Sequence, residues 1–82
     1  MKHAGDEALN SVEPLLKRIR EYDALSERGR GKFYRKSSAF LHFHEDPAGI
    51  FADLKVDGDW KRFPVNSSKE REKLLSEMAA NL

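Results

Sequence analysis

The stretch that most constrains the fold runs from residue 39 to residue 56, where two strand-like segments flank a tight turn. Its centre, Asp46-Pro47-Ala48-Gly49, is typical of a type I turn because aspartate, proline and glycine stand at positions one, two and four. With these four residues as the loop, Glu45 faces Ile50 and one face of the hairpin is almost wholly apolar. That face carries Ala39, Leu41, Phe43, Ala52, Leu54 and Val56. A slip of one residue would place both histidines of the stretch among apolar side chains, so burial favours this register.

The opposite face of the hairpin is half polar and half aromatic. Asp57-Gly58 is a strong two-residue turn signal, and it pairs Val56 with Asp59 at the start of a further strand that runs to Val65. Pro64 lacks a backbone donor, which indicates that this strand is an edge. The register predicts three rows of neighbouring side chains: His42–Asp53–Arg62, His44–Phe51–Pro64 and Phe40–Lys55–Trp60.

Helical patterns flank these strands. A cap at Asn10 or Ser11 begins a first helix, and Gly29 is a natural residue to end it. Its apolar stripe consists of Val12, Leu15, Leu16, Ile19, Tyr22 and Leu25. Ser67-Ser68-Lys69-Glu70 is a capping box that opens a second helix. The buried stripe of that helix consists of Leu74, Leu75, Met78 and Leu82.

A short strand over residues 31–36 completes the order α-β-β-β-β-α. We therefore predict a single α+β domain over residues 10–82, after a flexible N-terminus over residues 1–9. Its antiparallel sheet has three to four strands, flanked by an N-terminal and a C-terminal helix that pack largely on one face. Any functional site then belongs on the second face of the sheet.

Length and composition exclude several classes of protein. The chain has 82 residues, enough for one domain, and no cysteine. A disulfide framework, a thiolate metal site and a cysteine nucleophile are thereby excluded, and a reducing cytoplasm is the fitting compartment. No apolar run approaches the roughly 20 residues that span a bilayer, and the first residues do not resemble a secretory signal. We expect a cytoplasmic protein with no cofactor and no membrane partner.

Charge is balanced overall but unevenly distributed. The net charge is +1, yet residues 28–36 contain five basic residues and no acid, whereas residues 45–59 contain five acids against Lys55. The basic residues are Arg28, Arg30, Lys32, Arg35 and Lys36. Because glycine, Phe33 and Tyr34 are interleaved with them, they suit contact with phosphates and stacking of bases. Nucleic-acid binding is therefore an alternative function. The competing interpretation is that these residues form a solvated helix end and a strand whose positive charges discourage edge-to-edge pairing.

Histidine and carboxylate residues suggest a metal site as a third alternative. His42 and His44 share one strand face, and Asp53 lies across from His42, which is a ligand set found in many zinc and iron sites. Arg62, predicted beside Asp53, opposes a metal ion, so we expect a hydrogen-bonded polar row instead. A His42–Asp53 pair also suits a general base. No nucleophile or oxyanion hole accompanies it, so we predict no enzyme.

Aromatic residues on the second face favour contact with another protein, since aromatics outside a core often mark an interface. The competing interpretation is that a helix or the N-terminal arm covers them. We favour a non-enzymatic protein-interaction or binding module, with an unidentified protein or a second copy of the chain as partner. The predicted interaction surface consists of Phe40, Phe51, Trp60, His42, His44, Asp53 and Arg62.

The same stretch carries a resemblance. The run FLHFHEDPAGIFADL from residue 40, with Phe33-Tyr34 before it and Trp60 and Arg62-Phe63-Pro64-Val65 after it, resembles a group of small conserved bacterial proteins of unknown function. The resemblance spans most of the chain from about residue 9, and it implies a bacterial origin and one compact domain. It implies no activity, cofactor or catalytic residue.

Overall fold

A computed structural model describes every residue from Met1 to Leu82. Six strands form one antiparallel sheet, and three helices accompany it. The strands are β1 (Lys2–His3), β2 (Ser26–Glu27), β3 (Lys32–Arg35), β4 (Ser38–Asp46), β5 (Gly49–Val56) and β6 (Asp59–Pro64). The helices are α1 (Asp6–Ser11), α2 (Glu13–Ile19) and α3 (Ser68–Ala80). The α+β class is confirmed, but three to four strands and two helices underestimate the number of elements.

The sheet has the order β2-β3-β4-β5-β6, so β6 is an edge strand, as Pro64 predicts. β1 pairs with the end of β4 beyond the part that β3 occupies, with His3 opposite His44. The Ala4 amide donates to the Phe43 carbonyl at 3.1 Å. The segment expected to be a flexible arm therefore contains a strand and most of a helix. The sequence of this segment has few apolar residues and does not predict the strand. The strand forms because it pairs with an edge of β4, which lies some forty residues away in the chain.

The first helix is shorter than its apolar pattern predicts. α1 and α2 are separate helices that meet at Val12, and the chain leaves α2 after Ile19 through turns in which the Tyr22 amide donates to the Ile19 carbonyl at 3.1 Å. Ser26–Glu27 pairs with β3 instead of continuing a helix to Gly29. The gain from pairing an otherwise open sheet edge outweighs the weak helical preference of this stretch.

The hairpin register agrees with the prediction for most of its length. Glu45 lies opposite Ile50 and Leu41 opposite Leu54, and the next turn places Val56 opposite Asp59. A bulge interrupts the ladder between β3 and β4, since Phe33 pairs with Leu41 but Tyr34 pairs with Ala39. Phe40 is the extra residue, and it is 5% exposed. Its predicted place on the second face is therefore wrong: Phe40 and Leu41 both point into the core.

One core cluster lies between the helices and the inner face of the sheet. All three helices and strands β3 to β6 contribute buried apolar side chains to it, and no polar or charged residue is buried. The predicted capping box begins α3: the Glu70 amide donates to Ser67 Oγ at 3.2 Å, and the Ser67 amide donates to Glu70 Oε1 at 3.1 Å. Leu74, Leu75 and Met78 are buried as predicted, whereas Leu82 lies beyond the end of the helix and is only partly buried.

Candidate binding surface on the open sheet face

The helices pack on one side of the sheet, and the other side is exposed. Alternation along the strands places on it His3, Lys32, Tyr34, His42, His44, Phe51, Asp53, Lys55, Trp60 and Arg62. We call these residues, with Arg28 beside them, the open face. Trp60 is 45% exposed, and Met1 is the other exposed large hydrophobic residue of the chain. Phe51 is half-buried. The predicted surface therefore faces away from the core, without Phe40, but its His44 and Asp53 side chains are only 16% and 13% exposed.

A row of three rings crosses the open face. The centroid of the His42 ring lies 6.2 Å from that of Tyr34 and 5.3 Å from that of Trp60. Tyr34 belongs to β3, His42 to β4 and Trp60 to β6, so the indole extends over β5 toward the imidazole. The sequence predicts Trp60 beside Lys55 but not beside His42. Strand register identifies only direct neighbours, and it does not show that an indole is long enough to reach across the adjacent strand.

A cation lies over each end of this ring row. The Arg28 guanidinium carbon is 5.2 Å from the centroid of Tyr34, and Lys55 Nζ is 5.0 Å from the centroid of Trp60. Both distances are within the range of favourable cation–π contacts. Lys32 lies directly opposite His42 in the ladder. Arg28, Lys32 and Lys55 form no salt bridge, so their charges are free to meet an anion.

Asp53 is the acid at the centre of the open face, and its charge is balanced. Arg62 Nε and Nη2 donate to its two oxygens, each at 2.8 Å, and His44 Nε2 lies 3.1 Å from Oδ2. The hydrogen bonds from Arg62 lower the pKa of Asp53, with smaller contributions from the charges of Arg62 and the histidines. The row His42–Asp53–Arg62 exists in the register, but the carboxylate contacts His44 rather than His42.

The His42 imidazole therefore lies between the aromatic rings of Tyr34 and Trp60. Its Nε2 atom is buried and has no hydrogen-bond partner. Burial lowers the pKa of His42, and the neighbouring His3, His44 and Lys32 lower it further. The structure contains no His42–Asp53 hydrogen bond, and the imidazole that contacts Asp53 is that of His44.

All three histidines of the chain meet at one end of the open face. The His3 ring stacks on His44 at 4.8 Å with 29° between the planes, and its centroid is 5.9 Å from that of His42. His3 was not predicted to lie on the open face, because only the pairing of β1 with β4 brings it there. No group of three or more histidine, aspartate or glutamate side chains has an arrangement that could hold a metal ion. The metal site considered for His42, His44 and Asp53 is therefore not formed.

The basic segment over residues 28–36 is divided by the fold. Arg28 and Lys32 lie near Tyr34, as described above. Arg30 instead donates from Nη2 to Glu13 Oε1 and to Asn10 Oδ1, each at 2.8 Å, which ties it to the helices. Arg35 and Lys36 stand at the turn between β3 and β4 and line a shallow depression together with Lys55. Of the five predicted basic residues, Arg28 and Lys32 thus lie at the open face, Arg35 and Lys36 lie at the turn, and Arg30 is held by the helices.

Comparison with protein-family models, with curated proteins and with solved structures finds no match. None of the helices has the length and hydropathy needed to cross a membrane. A function is therefore inferred from the residues of the open face.

Proposed function

We propose that this protein is a non-enzymatic binding module whose open face binds single-stranded nucleic acid. The observation that carries the proposal is the ring row Tyr34–His42–Trp60 with a cation over each end. Aromatic side chains on a sheet stack unpaired bases, and neighbouring lysine and arginine side chains contact the phosphates.

The shape of the surface favours a single strand over a duplex. A duplex is read by an element that projects into a groove, whereas the open face is a sheet surface with its rings lying across the strands. Unpaired bases can lie flat on such rings. The row is long enough for about two or three bases, the number that the aromatic side chains of four-stranded RNA-binding sheets stack.

The charges of the open face support the same ligand. Arg28, Lys32 and Lys55 are unpaired, while Asp53 is held by Arg62 and His44. An anionic strand therefore meets three free cations and no free acid at the ring row. The net charge of the whole chain is +1, so binding depends on this local arrangement and weakens steeply with salt.

A protein partner fits the open face less well. The centre of a protein–protein interface is apolar and depleted of lysine. Trp60 is the one exposed large hydrophobic residue of the open face, Lys55 lies over its ring, and Arg62 follows two residues later on the same side of β6. Such a surface is better suited to a polyanion with aromatic bases than to the apolar side chains of a second protein.

Fluorescence anisotropy with labelled dT and U oligonucleotides, at low and at physiological salt, tests the proposal. We expect Trp60→Ala to weaken binding by about 1–3 kcal/mol through lost stacking. We expect Lys55→Ala to weaken binding and to reduce its salt dependence. Lys73→Ala removes the same charge from an exposed position in α3 and serves as the matched control.

Two results would overturn the proposal. One is the absence of binding at low salt, and the other is unchanged binding in Trp60→Ala. Sedimentation of the same samples distinguishes the competing function, since a dimer that Trp60→Ala disrupts, without oligonucleotide binding, would assign the open face to a second copy of the chain.

A further inference from the structure

The N-terminal strand is held to the sheet by few contacts. β1 pairs two residues with β4, Lys2 with Glu45 and His3 with His44. Beyond β1, the Gly5 amide donates to Glu45 Oε1 at 2.7 Å. A strand this short separates from a sheet more readily than the long central strands, because few backbone hydrogen bonds must open together.

A cluster of three imidazoles spans the junction between β1 and β4. His3 stacks on His44 at 4.8 Å and lies 5.9 Å from His42. When these rings are neutral, the contacts hold β1 in place. When they are protonated, like charges face one another at the same distances, and histidine is the side chain whose charge changes between about pH 5 and 8.

The surrounding charges do not balance a protonated cluster. The titratable and charged groups on and beside the neighbouring strands are the Met1 ammonium, Lys2, Lys32, Tyr34, Glu45, Asp46, Asp53, Lys55 and Arg62. Asp53 is 3.1 Å from His44 but is already paired with Arg62. Glu45 accepts from the Gly5 amide, and Asp46 accepts from the Ala48 amide at 3.1 Å and lies 3.8 Å from the Met1 ammonium. His44 therefore has a carboxylate close by, while His3 and His42 face its positive charge.

We propose that acidification below about pH 6 releases β1 from β4 through mutual repulsion of His3, His42 and His44. Release leaves the edge of β4 open over the residues that β1 occupies and uncovers the histidine end of the open face. This pH-dependent release of β1 is a property of the protein alone and does not depend on the nucleic-acid ligand proposed above.

The unfavourable environment of His42 agrees with this direction. Burial and the neighbouring cations lower its pKa, so the docked arrangement resists a charge on that ring. Each unit by which docking lowers a pKa makes docking tenfold weaker once the group is protonated. Because His3 is exposed and solvent screens its charge, we expect a change of about threefold to tenfold.

Amide hydrogen exchange of the ligand-free protein at pH 7.5 and pH 5.0 tests the proposal. After correction for the intrinsic exchange rate, we expect the protection of the Ala4 amide to fall about threefold to tenfold at pH 5.0, while the amides of β5 stay protected. His3→Gln keeps a polar side chain but removes the charge, and should abolish the pH dependence at Ala4. Lys2→Gln, in the same strand but opposite Glu45, is the matched control and should retain it.

Three outcomes would overturn the proposal. They are unchanged protection of Ala4 in the unmodified chain, an equal loss in the His3→Gln variant, and a parallel loss in β5 that indicates global unfolding instead of strand release. Since no oligonucleotide is present, each outcome is independent of the ligand.

Discussion

His44 Nε2 lies 3.1 Å from Asp53 Oδ2, although the direct neighbour of Asp53 in the ladder is His42. The carboxylate leans diagonally toward His44 while Arg62 holds both its oxygens. His42 is thereby left with a buried, unpartnered Nε2 between the rings of Tyr34 and Trp60. This diagonal contact separates a charged cluster, Asp53 with Arg62 and His44, from the ring row that we assign to base stacking.

The Asp53–Arg62 pair should contribute modestly to stability, because Arg62 is half exposed. We expect Arg62→Met to lower the free energy of unfolding at pH 7 only slightly, as for other exposed ion pairs. The lowered pKa of Asp53 means that this contribution is present above the unfolded value near 3.8 and is lost as pH falls through the folded value.

Urea denaturation at pH 7 and at pH 3 checks this expectation. The difference between the variant and the unmodified protein should be smaller at pH 3 than at pH 7. Lys61→Met, in the same strand with a looser 3.8 Å contact to Glu77, is the control and should change little. An equal gap for Arg62→Met at both pH values would show that the loss is not electrostatic.

Phe40 and Phe51 should respond very differently to truncation. Phe40 is 5% exposed and belongs to the core cluster, so Phe40→Ala should cost about 3–5 kcal/mol. Phe51 is half-buried on the open face, and Phe51→Ala should cost less than about half of that. Urea denaturation of both variants measures the difference. Equal effects would mean that the bulge does not direct Phe40 into the core.

Gly31 and Gly58 share a left-handed backbone but not the same surroundings. Their φ angles are +78° and +85°. A Cβ on Gly58 meets nothing within 4 Å, so Gly58→Ala should cost about 1–2 kcal/mol of backbone strain. A Cβ on Gly31 would lie 2.8 Å from Leu9 Cδ2, in a side chain that is 3% exposed.

We therefore expect Gly31→Ala to cost about 1–3 kcal/mol more than Gly58→Ala, because the core must also yield to the added methyl group. Thermal denaturation of the two variants gives the comparison. Matching melting temperatures would indicate that Leu9 moves aside freely.

His42 should make the protein less stable in mild acid. Its folded pKa is lowered by burial, so its contribution is fully present above the unfolded value near 6.5 and is lost as pH falls through the folded value. In His42→Gln, the unfolding free energy should vary less between pH 7.5 and 5.5, as followed by urea denaturation in that range. A slope as steep as that of the unmodified chain would assign the loss to other groups.

The capping box at α3 should be worth about 1 kcal/mol. Ser67→Ala removes the oxygen that accepts from the Glu70 amide at 3.2 Å, and should lower the unfolding free energy by that amount. Ser68→Ala, one position later and exposed, makes no such bond and should be nearly neutral. Comparable losses in both variants would argue against the cap.

The elements predicted correctly are those whose partners are close in sequence. The Asp46–Gly49 and Asp57-Gly58 turns set the pairing of β4, β5 and β6, and a one-residue slip would exchange their faces. The cap of α3 spans four residues and is likewise readable from the chain. The elements missed include α1 and two strands, β1 and β2, each of two residues, which exist because an edge of the sheet accepts them.

The same distinction, between contacts close in sequence and contacts distant in sequence, applies to the candidate surface. Turn chemistry and alternation of apolar residues were sufficient to place His42, Asp53, Arg62 and Trp60 on the face away from the core, since both are local properties of the chain. The tertiary structure alone decided that Phe40 turns into the core at a bulge, that Asp53 contacts His44, and that β1 delivers His3. Each of these depends on the balance of packing and electrostatic contacts between strands, which no single stretch of sequence contains.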